Sequence, residues 1–247
     1  SVVLYHYLTM HGRRTVTNFS IFVNLAFEAV RSNDDKELRR MIESGGVSLK
    51  NTTYDAQTVA HVAADTGNLP ILKYLLDKDA SLLSIKDSCG RTVLHLAARN
   101  GALAMVKYLI DDHKMDVRDP VKYQYGNTVL HIAAQKGHVS LVKYFIEEKQ
   151  LDVNRKNEVG QPPLFLAAEN AHLNVIKYLV DERKADVYAI DGNEDFVLYV
   201  SAKRNDVSVP RFLIDERKVF YNITWRDYVG DTILHRAAWL SASLSIL

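Results

Sequence analysis

The chain has 247 residues, 31 Lys and Arg against 30 Asp and Glu for a formal net charge of +1, one cysteine and 47% hydrophobic residues. That balance offers no electrostatic footprint for nucleic acid and no polybasic patch for an anionic membrane, and no apolar run approaches the roughly 18 residues a membrane-spanning helix needs. The single Cys89 cannot form an internal disulfide, which suits a reducing compartment.

A fixed spacing organises the sequence. Thr58, Thr92, Thr128, Pro162, Phe196 and Thr232 recur at steps of 34 (58 to 92), 36 (92 to 128), 34 (128 to 162), 34 (162 to 196) and 36 (196 to 232). The pairs Lys73-Tyr74, Lys107-Tyr108, Lys143-Tyr144 and Lys177-Tyr178, continued by Arg211-Phe212, keep the same rhythm. Periods of this size are the signature of a solenoid, in which each unit buries its apolar face against its neighbours.

In chain order, Ser1 to Met10 is apolar but lacks the basic start of a signal peptide. Residues 1–23 read as the tail of an upstream repeat: Val3, Leu4, Tyr7 and Leu8 occupy second-helix positions, Gly12 ends that helix, and Thr15-Val16-Thr17-Asn18 leads towards the next turn. Residues 24–51 form a divergent repeat with Phe27 at its centre and Asn33 where others have Gly. Repeats 52–85, 86–121 and 122–155, centred on His61, His95 and His131, are the most regular. Repeat 156–189 replaces the Thr with Pro162-Pro163, the His with Phe165 and the Gly with Ala171. Repeat 190–225 is the most worn, with Phe196, Tyr199 and Asn205 at the marker positions and Pro210 early in its second helix. Residues 226–247 return to pattern at Thr232 and stop where a second helix should begin, so the segment reads as a window from a longer chain.

Within each unit a Thr precedes a short apolar helix as an N-cap, paired alanines such as Ala97-Ala98 allow close helix approach, and Gly67, Gly101 and Gly137 stand where the chain must turn left-handed. In the second helix Val139, Val142 and Ile146 make one apolar stripe. The run Thr92-Val93-Leu94-His95-Leu96-Ala97-Ala98, then Gly101 and Val106-Lys107-Tyr108-Leu109-Ile110, resembles an ankyrin repeat. The resemblance implies an all-α solenoid of stacked helix-turn-helix units with β-turn fingers, about six full repeats plus partial repeats at both ends. It also implies a non-catalytic scaffold that binds a protein partner through finger tips and the concave helix surface.

No catalytic, cofactor or metal site is expected. His61, His95, His131 and His235 share one repeat position, so they form a row rather than a converging ligand set, and Phe or Tyr replaces them elsewhere. The reading is a buried imidazole bonded to backbone and to the capping Thr. Cys89 with His95 lacks an orienting third group and an oxyanion hole. The repeated Tyr is expected to pack with its hydroxyl at the solvent edge, and the Lys and Arg row to pair with acids four residues on.

The candidate partner-binding residues on the fingers are Tyr54, Arg91, Tyr123, Tyr125, Asn127, Gln161, Trp225 and Tyr228, with Ser88, Glu158 and Asp231 beside them. At the ends of the first helices they are Asp65, Arg99, Asn100, Gln135, Lys136, Glu169, Asn170, Lys203, Arg204 and Trp239. The two steps of 36 place two extra residues in the fingers around Asp119 to Tyr125 and Tyr221 to Tyr228, both rich in aromatics. A second functional reading is a substrate-recruiting or regulatory arm of a larger enzyme, effector or toxin. The Lys-Tyr-Leu-rich repeats are similar in style to ankyrin proteins of intracellular bacteria, so the expected location is a cytoplasm, the cell's own or that of a host.

Overall fold

The computed structural model describes residues 16–219, except 123 and 203–205, and also Gly230, with side chains described from Phe22 onward. Twelve helices lie in the described residues: α1 Val16–Arg31, α2 Asp35–Glu43, α3 Val59–Asp65, α4 Leu69–Lys78, α5 Val93–Asn100, α6 Leu103–Lys107, α7 Val129–Lys136, α8 Val139–Lys143, α9 Pro163–Glu169, α10 Leu173–Lys177, α11 Val197–Ser201 and α12 Ser208–Arg211. They form two compact units, Ser1–Met115 and Asp116–Leu247. In the first, α1 packs on α2 and α3, and α3 on α4 and α5; in the second, α7 packs on α8 and α9, and α9 on α10 and α11. Apart from two isolated bridges, Val121 with Asn127 and Ile190 with Phe196, the described residues hold no β structure.

The first helices are short because they are capped at both ends by the repeat itself. Thr58, Thr92 and Thr128 are extended, and each hydroxyl accepts from the backbone N–H three residues on, while the His at that position accepts from the Thr backbone N–H. Gly101 and Gly137 close α5 and α7 in the left-handed conformation at φ 87° and 78°. Asn33 and Ala171 take the same conformation at φ 59° and 60° without the freedom of glycine. The alanine pairs are fully buried where first helices meet: Ala63 and Ala64 on α3, Ala97 and Ala98 on α5, Ala133 and Ala134 on α7, and Ala167 and Ala168 on α9.

The second helices differ from expectation at their ends. α6, α8, α10 and α12 widen into a π-helical turn, over Tyr108–Asp112, Tyr144–Glu148, Tyr178–Glu182 and Phe212–Glu216. Each is closed by an N–H reaching six residues back, as from Leu151 to Phe145 at 3.0 Å and Ala185 to Leu179 at 2.9 Å, with Gln150 and Lys184 left-handed at φ 53° and 55°. α4 ends otherwise: Asp79 accepts from the Ser81 N–H at 2.9 Å and the 3₁₀ turn Ala80–Ser84 buries Leu82.

Two expectations need correction. Val16 to Asn18 is not an extended lead into a turn: it begins the sixteen-residue helix α1, in which no Gly or Pro interrupts the backbone hydrogen bonds. Lys143 and Lys177 reach acids of the following repeat, Glu182 at 3.8 Å and Glu216 at 4.0 Å, rather than acids four residues on. The lysine row also knits one repeat to the next, Lys73 over the Tyr108 ring at 4.7 Å, Lys143 over Tyr178 at 4.9 Å and Lys177 over Phe212 at 5.3 Å. Arg217 pairs with Asp181 at 2.5 Å, and Arg183 with Glu147. The Tyr178 hydroxyl is drawn into this network, donating to Glu147 at 3.0 Å and accepting from Arg183 at 2.8 Å, rather than facing solvent.

Candidate interaction surface

Between a second helix and the next first helix the chain forms a finger whose root is held by one short polar side chain. In residues 87–91, Asp87 Oδ1 accepts from the N–H groups of Cys89 at 3.0 Å and Arg91 at 2.8 Å, while the Asp87 N–H donates to the Arg91 carbonyl at 2.9 Å. Asn157 repeats the pattern, with Oδ1 accepting from Val159 at 3.1 Å and Gln161 at 2.8 Å, and Asp191 accepts from Asn193 at 2.9 Å and Asp195 at 3.0 Å. A left-handed residue completes each turn: Ala56, Gly90, Gly160 and Glu194.

Fingers are also joined to one another. The Ser88 N–H donates to the Asp55 carbonyl at 2.9 Å, Glu158 to Tyr125 at 2.8 Å and Gly192 to Val159 at 2.8 Å. At the roots, Gln57 donates to Asp87 Oδ2 at 3.4 Å, Asn157 to Asn127 Oδ1 at 2.8 Å and Gln161 to Asp191 Oδ2 at 3.3 Å. Arg91 closes on Asp87 through Nε at 2.8 Å and NH2 at 2.7 Å. Burial pushes the Asp87 carboxyl up, but the Arg91 hydrogen bonds and charge outweigh it and hold the group below the usual carboxylate range.

Three of the expected contact residues are turned inward. Arg91 is 9% exposed and Asn127 4%, and Gln161 is half-buried. All three belong to the finger roots, where they are consumed by Asp87, Asn157 and Asp191. Residues at the tips are instead free of that task. Tyr54 is fully exposed at 103% and Tyr125 is 64% exposed. Glu158, Asn193 and Glu194 stand exposed near them in sequence position, and the last two were not singled out from the sequence although Asp191-Gly192-Asn193 is a turn composition. The finger over 121–127 is the longer one expected: Val121 bridges Asn127, and Tyr125 and Gly126 are both left-handed at φ 55° and 67°. Tyr123 lies outside the described residues, as do Lys203, Arg204, Trp225, Tyr228, Trp239 and the second long finger.

At the ends of the first helices, Asp65 and Arg99 hold each other. The guanidinium donates through Nε at 2.9 Å and through NH2 to both carboxylate oxygens at 2.6 Å and 2.7 Å, and Asn100 donates to the Asp65 carbonyl at 2.8 Å. Lys136 is exposed, and Gln135, Glu169 and Asn170 are half-buried. The Gln135 carbonyl accepts from His172 Nε2 at 2.8 Å, a cap on α7 supplied by the following repeat.

The repeated histidine is buried as expected. His131 Nδ1 accepts from the Thr128 N–H at 3.3 Å and contacts its hydroxyl at 2.9 Å, and Nε2 donates to the Arg155 carbonyl at 2.9 Å. His61 bonds likewise to Thr58 and, at 3.2 Å, to the Arg91 carbonyl. Burial pushes both imidazoles down, His131 to about 4. Among the described residues no group of three or more His, Cys, Asp or Glu is placed to hold a metal ion, and no helix is long and apolar enough to cross a membrane.

Comparison with known proteins agrees with this geometry. A family model described as ankyrin repeats (3 copies) matches residues 26–121 and 113–191. The crystal structure of the human ASB11 ankyrin repeat domain is similar with a TM-score of 0.68 and 22% identity, over 89% of this chain and 96% of that one. A search of curated proteins returns no match.

Proposed function

Because the chain belongs to the ankyrin-repeat family, whose members generally work as protein-protein interaction modules, we propose that it is a non-catalytic module that binds a protein partner through its finger tips and the exposed ends of its first helices. The observation that carries this reading is a division of labour within each finger. Root residues Asp87, Arg91, Asn127, Asn157, Gln161 and Asp191 are spent on holding the finger and joining it to its neighbour. Tip residues Tyr54, Tyr125, Glu158 and Glu194 are exposed, two of them aromatic and two acidic. A rigid frame carrying solvent-facing side chains is what recognition of a folded surface requires, since little ordering entropy is lost on binding.

Tyr125 is the residue expected to contribute most. Its ring is solvent-facing, and its left-handed backbone is held by the Gly126 and Asn127 turn and by the Glu158 N–H. Affinity capture with the chain, followed by mass spectrometry, supplies the partner. Repeating the capture with Tyr125→Ala, with Tyr54→Ala and with the outer-face variant Lys143→Ala then locates the contact. The reading expects the partner to be lost or weakened with a tip variant and retained with Lys143→Ala; loss only with the outer-face variant would place the surface on the second helices.

A further inference from the structure

His131 and His61 are more than packing, because each ties a first helix to the backbone of the following repeat. His131 sits at the start of α7 and reaches the Arg155 carbonyl, which leads into the finger at 157–161; His61 on α3 reaches the Arg91 carbonyl at the end of the finger at 87–91. Carbonyl oxygens only accept, so Nε2 carries the proton, and Nδ1 is the acceptor for the Thr N–H. One neutral tautomer satisfies both bonds.

We propose that this row couples protonation to folding: taking up a proton at Nδ1 of His131, and of His61, breaks the helix cap at Thr128 and Thr58 and charges a buried ring, while Nε2 keeps its bond to the following finger. A proton on Nδ1 has the Thr128 hydroxyl at 2.9 Å to accept it, but it leaves the buried Thr128 N–H aimed at another N–H and without an acceptor. It also places a positive charge at a site with zero exposure. The surroundings decide which histidine is the more sensitive. Arg155 is the charged group bearing on His131 and opposes a second positive charge; α9 and α8, which pack on α7, bury the uncharged Pro163, Leu164 and Phe165 and Leu141 and Val142. The charges bearing on His61 are Asp87 and Arg91, which neutralise one another, and α1, which packs on α3, buries the apolar Ala26, Phe27 and Val30. The chain carries its own acid-insensitive version of the position, since Phe165 is buried in α9 where the others have His.

The sign follows from linkage. The folded state holds these imidazoles neutral below the ordinary value of about 6.5, so the unfolded chain takes up protons first. Stability is whole above about pH 6.5, declines as pH falls, and for His131 levels off near pH 4. Within that window each such histidine costs up to about tenfold in the folding equilibrium constant per pH unit.

The test is urea unfolding, followed by circular dichroism at pH values from 7.5 to 4.5, of the wild-type chain, His131→Phe and His61→Phe. Each variant should lose about tenfold less stability per pH unit than the wild type, with His131→Phe the flatter of the two. The same pH slope in wild type and His131→Phe would overturn the proposal. Should a variant fold poorly, carbon-13 NMR titration of the histidine rings in the wild type decides: His131 titrating near 6.5 refutes the coupling, and His131 staying neutral to well below pH 5 upholds it.

Discussion

His172 donates from Nε2 to the Gln135 carbonyl at 2.8 Å, and in doing so lays its ring across Gly137. A Cβ at Gly137 would stand 2.6 Å from His172 Nδ1, in a residue whose φ is 78°. Gly137→Ala therefore meets both a clash and a left-handed backbone. A loss of about 2 kcal/mol or more in urea unfolding is expected. Gly137→Ala with His172→Ala should recover only part of it, because the backbone term remains; full recovery would show that the ring alone makes glycine necessary.

Ala171 is the reverse case. It holds φ 60° at the position where α5 and α7 use glycine, with its Cβ against the steric limit. Ala171→Gly should raise stability by about 0.5–1 kcal/mol, relief of the left-handed strain outweighing the greater freedom of glycine in the unfolded chain. A lower melting temperature in this variant would contradict the argument.

Arg91 tests the division between finger root and tip. Removing it leaves the Asp87 carboxylate, whose side chain has no solvent exposure, without its charged partner. Arg91→Ala should cost about 3 kcal/mol or more of stability, the range for breaking a buried pair from one side. Asp87 should then titrate at a higher pH than in the wild type, since burial would act without the opposing guanidinium. An unaltered melting temperature would return Arg91 to the set of contact residues.

The sixth repeat should open first. α11 is only five residues long, its N-cap is Phe196 with no side-chain cap bond, and Tyr199 replaces the histidine. Each missing cap is worth on the order of 1 kcal/mol. Hydrogen exchange should therefore show residues 191–202 and 206–219 less protected than residues 129–148; equal protection across both would count against it.

The repeat, its register and the buried histidine were legible in the sequence because the interactions that define them are local. Thr58 and His61 are three residues apart, and Thr128 and His131 likewise, so a capping box can be seen by spacing alone. Gly101 and Gly137 follow the same logic, since a left-handed residue at a helix end is a demand on one position. Where the repeat rhythm was pressed too far, as at Val16 to Asn18, a continuous helix took the place of an expected turn. The sequence alone could not separate tip from root in the fingers. Arg91, Asn127 and Gln161 have the composition of contact residues, and only the placement of Asp87, Asn157 and Asp191 turns them inward, through bonds whose partners in two cases lie thirty positions away. The pairing of Arg99 with Asp65 across 34 residues, of His172 with Gln135 across 37 and of Arg183 with Glu147 across 36 was equally a tertiary matter. A polar side chain can satisfy its hydrogen bonds with any neighbour of suitable chemistry, so its type fixes the demand, and only the packing of one repeat on the next decides which atom meets it.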